Sequence, residues 1–344
     1  MADQHKILAV LDLSENFIQR QENVELKVNR EDYYYMTKKK EVERAEGGQR
    51  EIDIESTKDK NCYPVLRQLS RPKSERLNLS EGWHPLPNVW KGENIDILLQ
   101  SLLHHDLVGK ATFVCKKKVL LVIATCSPEA CRGIGVVRLQ NSYYLYLYPT
   151  EKFPADGYHG LRFEQLLTTT KTGASREIDQ NKEFGALCKV NIGGHDLIVS
   201  GELDCLDGEN RVELKTCKDG FKTARHGLLL KWWLQCCFLN IETIYLGITE
   251  TDGSCKGKYV DAIEKQSITD LKQLVDKKTN KTGRCLARVK VFLELLKDHA
   301  TEEGQVYLVK RQSGTKNYTI ERSDDAGKDF INARLRIELV RRSA

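Results

Sequence analysis

The chain has 344 residues, of which 40% are hydrophobic and 30% charged. That balance belongs to a folded, soluble protein of one large or two ordinary domains and excludes disorder for most of the length. No run approaches the roughly 18 apolar residues of a membrane span, and the N-terminus has no basic segment leading into an apolar core and cleavage site, so neither membrane insertion nor secretion is expected. A net charge of +5 suits a polyanionic partner without identifying one. The eleven cysteines, odd in number and without a CxxC pair or a histidine at zinc-ligand spacing, read as reduced thiols of the cytosol or nucleus.

Residues 1–60 are polar and charge-dense, and the basic run Lys38 to Lys40 leads into Glu41-Val42-Glu43-Arg44-Ala45-Glu46-Gly47-Gly48. This is the pattern of a partly ordered arm with few core contacts. From Cys62 the pattern tightens, and Asn78-Leu79-Ser80-Glu81-Gly82-Trp83, followed by Pro85 and Pro87, reads as an ordered turn. A helix is expected from Ile95 to Leu107, then consecutive antiparallel strands at Val119 to Ala124, Val136 to Leu139 and Tyr143 to Tyr148. After Pro154, Tyr158 to Leu167 has helical spacing. Leu197 to Leu206 is a strand, Asp207-Gly208-Glu209-Asn210 a turn, and Arg211 to Thr216 a second strand. Leu228 to Leu239 is apolar nearly all round and reads as a buried helix. A strand at Thr243 to Thr249, a helix at Ala287 to Lys297, a strand at Gln305 to Val309 and a C-terminal element complete the chain. With no internal repeat and no Pro/Ser-rich linker, residues 61–344 are expected to form a single α+β domain of mixed, largely antiparallel sheets flanked by helices.

The informative segment is Gly201-Glu202-Leu203-Asp204-Cys205-Leu206, the turn, and Arg211-Val212-Glu213-Leu214-Lys215-Thr216. Side chains alternate across a strand, so Glu202 and Asp204 share one face of the first strand, Glu213 and Lys215 share one face of the second, and Leu203, Val212 and Leu214 turn to the core. If Gly208 and Glu209 form the hairpin tip, Asp204 lies opposite Glu213, and Glu202 opposite Lys215. Carboxylates roughly 5 Å apart repel unless something compensates, and a divalent cation would. Hard oxygen donors suit Mg²⁺ or Mn²⁺, and two such ions about 4 Å apart can activate water and stabilise the leaving oxygen of a phosphodiester. Lys215 would then orient the water or neutralise charge on the phosphate. The plain alternative is an exposed hairpin with a Glu202–Lys215 ion pair. The spacing of Asp and Glu-x-Lys resembles the PD-(D/E)xK nuclease superfamily.

Gly157-Tyr158-His159-Gly160-Leu161-Arg162-Phe163-Glu164 upstream and Arg225-His226-Gly227-Leu228-Leu229-Leu230-Lys231-Trp232-Trp233-Leu234-Gln235 downstream extend the pattern. In this order the segments resemble the decapping exoribonuclease (DXO) family of RNA 5′-end quality-control enzymes, with weaker similarity reaching Leu66-Arg67 and Leu79 to Trp83 before the core and Cys285 to Leu296 after it. The resemblance implies that Glu164, Glu202, Asp204 and Glu213 hold metal, partly through water, and that the main-chain carbonyl of Leu214 joins them. It implies that Lys215 and Gln235 contact the scissile phosphate or the attacking water. Trp232 and Trp233, in an apolar helix, read as core.

Three positions depart from the family pattern. Lys117, in Phe113-Val114-Cys115-Lys116-Lys117-Lys118, stands where the family has a substrate-binding arginine; the charge survives but the planar bidentate grip does not. Gly185 stands where some relatives place a cysteine near the substrate, and Gly247-Ile248-Thr249 lacks an arginine that relatives usually carry.

The expectation is thus a hydrolase of single-stranded RNA 5′ ends using two Mg²⁺ or Mn²⁺ ions. It would remove incomplete or unusual caps (unmethylated guanosine, NAD) or 5′ pyrophosphate, or degrade 5′-monophosphate RNA 5′ to 3′. Its pocket would be lined by Lys117, Arg225 and Lys231. The alternatives are a non-catalytic RNA-binding or complex-forming member of the family and a DNA nuclease of the wider superfamily. The resemblance further implies a nuclear location and, for some relatives, a larger 5′ to 3′ exoribonuclease as partner.

Overall fold

The computed structural model describes residues 7–13, 18, 24–38, 52–55, 63–67, 76–84, 95–128, 133–148, 157–170, 173, 178, 182–251, 258–323, 331 and 333–343. The run after Lys38, Cys62, Pro85, Pro87 and Pro154 lie outside them. In chain order the strands are β1 (Ile7–Leu11), β2 (Leu26–Lys38), β3 (Ile52–Glu55), β4 (Pro64–Leu66), β5 (Leu77–Asn78), β6 (Phe113–Lys116), β7 (Ile134–Leu139), β8 (Ser142–Leu147), β9 (Thr168–Thr170), β10 (Lys182–Ile192), β11 (His195–Glu202), β12 (Cys205–Asp207), β13 (Asn210–Cys217), β14 (Thr243–Thr251), β15 (Lys258–Ser267), β16 (Val306–Arg311) and β17 (Tyr318–Arg322). The helices are α1 (Asp96–His104), α2 (Lys117–Thr125), α3 (Gly157–Leu167), α4 (His226–Cys237), α5 (Ile268–Asp276), α6 (Lys281–His299) and α7 (Ala333–Ser343).

The strands form two mixed, mostly antiparallel sheets. One has the order β1-β17-β16-β7-β8-β6-β11-β10-β2-β3, the other β5-β15-β14-β13-β12-β4-β9. Helices α2, α4, α5 and α6 share a hydrophobic core with one face of each sheet, through residues such as Phe113 and Val199 of the first and Ile244 and Leu246 of the second. Helices α1 and α7 cover the opposite face of the first sheet. Helix α3 covers the opposite face of the second, where Phe163 and Leu167 meet Val212 and Leu214. The expected α+β architecture of mixed sheets flanked by helices is thus the one observed. No helix among the described residues is long and apolar enough to cross a membrane.

Three local expectations change. The apolar run Val119 to Ala124 is helix α2 rather than a strand, and all six residues are buried. A short run that is apolar on every side has no periodicity to separate the two states. The helix stops at Cys126, whose left-handed conformation (φ 49°) brings its N–H to Ile123 O at 3.2 Å.

Secondly, the arm expected to make few core contacts supplies β1 and β2, pairs with β17 and β10, and buries Leu11, Leu13 and Ile18 completely. Thirdly, the strand expected over Leu197 to Leu206 is broken at Leu203 and Asp204, so β11 belongs to the first sheet and β12 to the second. The hairpin register around Gly208 and Glu209 is as expected, with Cys205 opposite Val212, Leu206 opposite Arg211 and Asp207 opposite Asn210. Because of the break, however, Glu202 pairs with Gly185 of β10 and not with Lys215.

Gly247 shows how closely α3 lies on the second sheet: a Cβ there would stand 2.7 Å from the ring of Phe163. Gly247→Ala is therefore expected to displace α3 and to lower stability by about 1–3 kcal/mol in urea denaturation. A variant as stable as the parent would show that the helix yields without cost.

Candidate functional site

The break after β11 carries Asp204 from one sheet to the start of β12 in the other, beside β13. There the Leu214 N–H donates to Asp204 Oδ2 at 2.6 Å. Alternation along β13 sends Val212 and Leu214 toward α3 and turns Arg211, Glu213 and Lys215 to the face shared with Ile244 and Leu246 of β14. Glu213 is only 2% exposed and Asp204 only 9%, so these carboxylates are not the solvated charges of a plain hairpin. Glu213 Oε1 is ion-paired with Lys215 Nζ, while Glu213 Oε2 is buried without a hydrogen-bond partner.

Burial raises the pKa of Asp204 to about 7, and the neighbouring Glu213 charge adds to the effect, outweighing Lys215 and the Leu214 N–H. Burial also opposes ionisation of Glu213, but Lys215 and then Lys117 outweigh it and hold this carboxyl below its ordinary range. Burial works against the Lys215 ammonium too, yet Glu213 and Asp204 together keep it charged and push its pKa up. The two carboxyls are therefore unequal, one readily ionised and one poised to gain or lose a proton near neutrality.

Two more elements reach this patch. Lys117, the first residue of α2, donates from Nζ to Glu202 O at 2.7 Å. Its stem crosses β11 so closely that a Cβ on Gly201 would lie 2.6 Å from Lys117 Cδ. From α4 comes Cys236, next to the half-buried Gln235. Burial and then Glu213 push its thiol well up, which keeps it neutral. Sequence reasoning passed over Cys236; its helical position beside Gln235 was the available signal.

The remaining expected residues lie elsewhere. Glu202 is exposed at the end of β11, and Gly185 is buried opposite it. Glu164 is half-buried on α3, which packs on the Val212 and Leu214 face of β13, opposite to the face that Glu213 occupies. Among the described residues no three His, Cys, Asp or Glu side chains converge to hold a metal, so Glu164 and Glu202 do not complete a cluster with Asp204 and Glu213. The pair nevertheless fits a hard divalent cation. It offers anionic oxygens, one of them buried and unsatisfied, and a cation would offset the cost of that burial. Asp204 and Glu213 would be its side-chain ligands.

A family model described as RAI1 like PD-(D/E)XK nuclease matches residues 49–336. The human Decapping and exoribonuclease protein is 31% identical over 113 residues, a stretch covering 28% of this chain and 28% of the human protein. Among solved structures, Scheffersomyces stipitis Rai1 in complex with (3'-NADP)+ and calcium ion has a TM-score of 0.72 at 15% identity, covering 100% of this chain and 99% of that one. Candida albicans Rai1 in complex with pU5-Mn2+ has a TM-score of 0.71 at 14% identity, covering 93% and 96%. At these identities the likeness is one of fold.

Because the folded-state pKa of Asp204 is raised, its contribution to stability is fully present below the ordinary aspartate pKa and is lost as pH rises through about 7. A cation needs the ionised carboxylate, so added Mn²⁺ is expected to raise the Tm more at about pH 8 than at about pH 6. Equal rises at the two pH values would remove Asp204 from the ligand set. Lys215→Met leaves the buried Glu213 charge without its partner and is expected to cost about 3 kcal/mol in urea denaturation. The double variant with Glu213→Gln should recover a large part of that loss.

Proposed function

The chain belongs to the RAI1-like PD-(D/E)XK nuclease family, and from that premise we propose that it is a metal-dependent hydrolase of RNA 5′ ends. Its substrates on this reading are incomplete or unusual caps, 5′ pyrophosphate and 5′-monophosphate RNA. The observation that carries the reading is the buried pair Asp204 and Glu213 with Lys215 beside it, because sustaining two adjacent buried carboxylates is costly unless a cation is bound. The likeness to the human Decapping and exoribonuclease protein, and the pU5 and (3'-NADP)+ bound by the Candida and Scheffersomyces proteins, support an RNA 5′ end as the substrate.

A bound Mg²⁺ or Mn²⁺ would supply Lewis-acid stabilisation of the phosphodiester oxygens and lower the pKa of the attacking water. The chain's own groups do the rest. Asp204 and Glu213 would hold the cation, and the Leu214 N–H fixes the Asp204 carboxyl so that little reorganisation is needed on binding. Lys215 sits against Glu213 with three donors, and it can turn one toward a phosphate oxygen or the attacking water while retaining the ion pair. Lys117 adds a second positive charge, while Gln235 on α4 supplies a neutral amide for the same phosphate. Glu202, exposed at the end of β11, would act from the rim, through water.

A second reading, a non-catalytic RNA-binding member, is favoured by one observation: Lys117 Nζ is engaged by the Glu202 carbonyl rather than held out toward a ligand. The two readings part on one experiment. Capped, NAD-capped, triphosphate and monophosphate RNAs are incubated with Mn²⁺ or EDTA, beside Asp204→Ala. The expected outcome is metal-dependent release of cap or nucleotides, abolished in the variant while RNA affinity stays within about tenfold. Retained turnover in Asp204→Ala would sink the metal assignment, and no product from any RNA, with binding intact, would favour the second reading.

A further inference from the structure

Residues 218–225 join β13, which bears Glu213 and Lys215, to α4, which bears Gln235 and Cys236. This connection exposes Lys218, Lys222 and Arg225 against one acidic residue, Asp219. None of the three cations forms an ion pair or side-chain hydrogen bond with a described residue. Several surface cations elsewhere are matched, Arg76 with Asp261, Lys290 with Glu294, Lys310 with Glu321 and Arg322 with Glu302, so what distinguishes this connection is that its three unmatched charges stand together next to the site. Three unmatched positive charges beside a pair of carboxylates call for an anion that approaches from outside.

The connection is also held firmly. Glu264 of β15 accepts the Phe221 N–H on Oε2 at 2.9 Å. It can do so because position 220 is glycine; a Cβ there would stand 2.8 Å from Glu264 Oε1. The Thr223 and Ala224 N–H groups both donate to Gly220 O, at 3.1 and 2.9 Å. The Phe221 ring is buried edge-on against Trp232 of α4, with centroids 6.1 Å apart. Register places the tether in the same row as the site: Lys215 lies beside Leu246, and Leu246 beside Glu264. Lys218 follows Lys215 by three residues, so at strand rise the two Cα atoms are no more than about 10 Å apart.

We propose that residues 218–225 form a ledge for the sugar–phosphate backbone of the RNA, with Lys218, Lys222 and Arg225 facing phosphates on the 3′ side of the end held at Glu213 and Lys215. The inference rests on the RNA 5′-end reading and adds the element that takes the body of the chain. The only aromatic ring on the ledge, Phe221, is buried, so the grip is electrostatic. It is therefore indifferent to base sequence and sensitive to salt. The tether matters because preordered cations lose less entropy on binding than mobile ones.

The test is made on the full chain in EDTA, so that no RNA is hydrolysed. Affinity is measured by fluorescence anisotropy over a salt series for a 5′-phosphorylated oligouridylate of about a dozen nucleotides and for a 5′-phosphorylated dinucleotide. The double variant Lys218→Gln, Lys222→Gln, which leaves the pocket-side Arg225 in place, is expected to bind the long RNA about fivefold more weakly, with the slope of log K against log salt reduced by about 1.4 and the dinucleotide unaffected. Unchanged long-RNA affinity in the variant overturns the ledge, and leaves an acidic protein as the ligand for these charges. Equal loss for both RNAs also overturns it, since the cations would then belong to the end-binding site. A wild-type protein that binds neither RNA overturns the RNA reading itself, which is a different result from a variant that matches a binding parent.

Discussion

The Glu213–Lys215 ion pair, with Asp204 beside it, is the constraint around which the molecule is arranged. A carboxylate 2% exposed on a central strand is tolerable only with a matched cation and well-placed hydrogen bonds, since desolvation alone costs several kcal/mol per ion. Strand β13 meets that condition by alternation. Its apolar side chains go to α3 and its charged ones to the layer between the sheets, so one strand both supports the core and presents the site. The cost of burying Asp204, to which the neighbouring Glu213 charge adds, appears in its raised pKa, and Glu213 Oε2 is left without a hydrogen-bond partner.

Such a charge arrangement demands a rigid frame, and polar ties between the two sheets provide one. Arg30 of β2 pairs with Glu242 just before β14 and donates to Glu209 O at the β12–β13 turn. Glu242 in turn accepts the Arg211 N–H at 2.9 Å. The fully buried Arg211 side chain reaches Leu239 O at 2.6 Å and Cys188 Sγ of β10 at 2.8 Å. On the other side, Lys117 ties α2 to the end of β11. The buried Arg211 donors would cost about 1–3 kcal/mol if left unpaired, and the more exposed ties at Arg30 and Lys117 add to them, so the sheets are locked together where Asp204 crosses between them.

Charge is distributed to match. Beside the carboxylate pair Lys215 is neutralised by Glu213, whereas on the connection to α4 the cations are unmatched and exposed. A polyanion whose end lies at Glu213 and Lys215 would meet the second group as it leaves the first. This pairs a short-range site, where desolvation strengthens each interaction, with a long-range one governed by ionic strength.

Much of this was legible in the residues. The Glu202 to Lys215 segment announced a hairpin with Asp204 and Glu213 adjacent, because the turn and the two-residue period together set the register. The Asn78 to Trp83 turn, the α3 and α4 helices and the core role of Trp232 and Trp233 followed from local chemistry and periodicity. What sequence left open was decided by longer-range contacts. Val119 to Ala124 is apolar all round, so its environment between sheet and helix, not its pattern, makes it helical. The polar arm before residue 60 supplies three paired strands, β1 on β17, β2 on β10 and β3 on β2, because β10 and β17 offered free edges to it. The break at Leu203 and Asp204 moved Glu202 away from Lys215, and packing on the far side of β13 kept Glu164 from the carboxylate pair. Local pattern specifies which side chains share a face of one strand, whereas which strands and helices share a site depends on where the chain crosses between sheets.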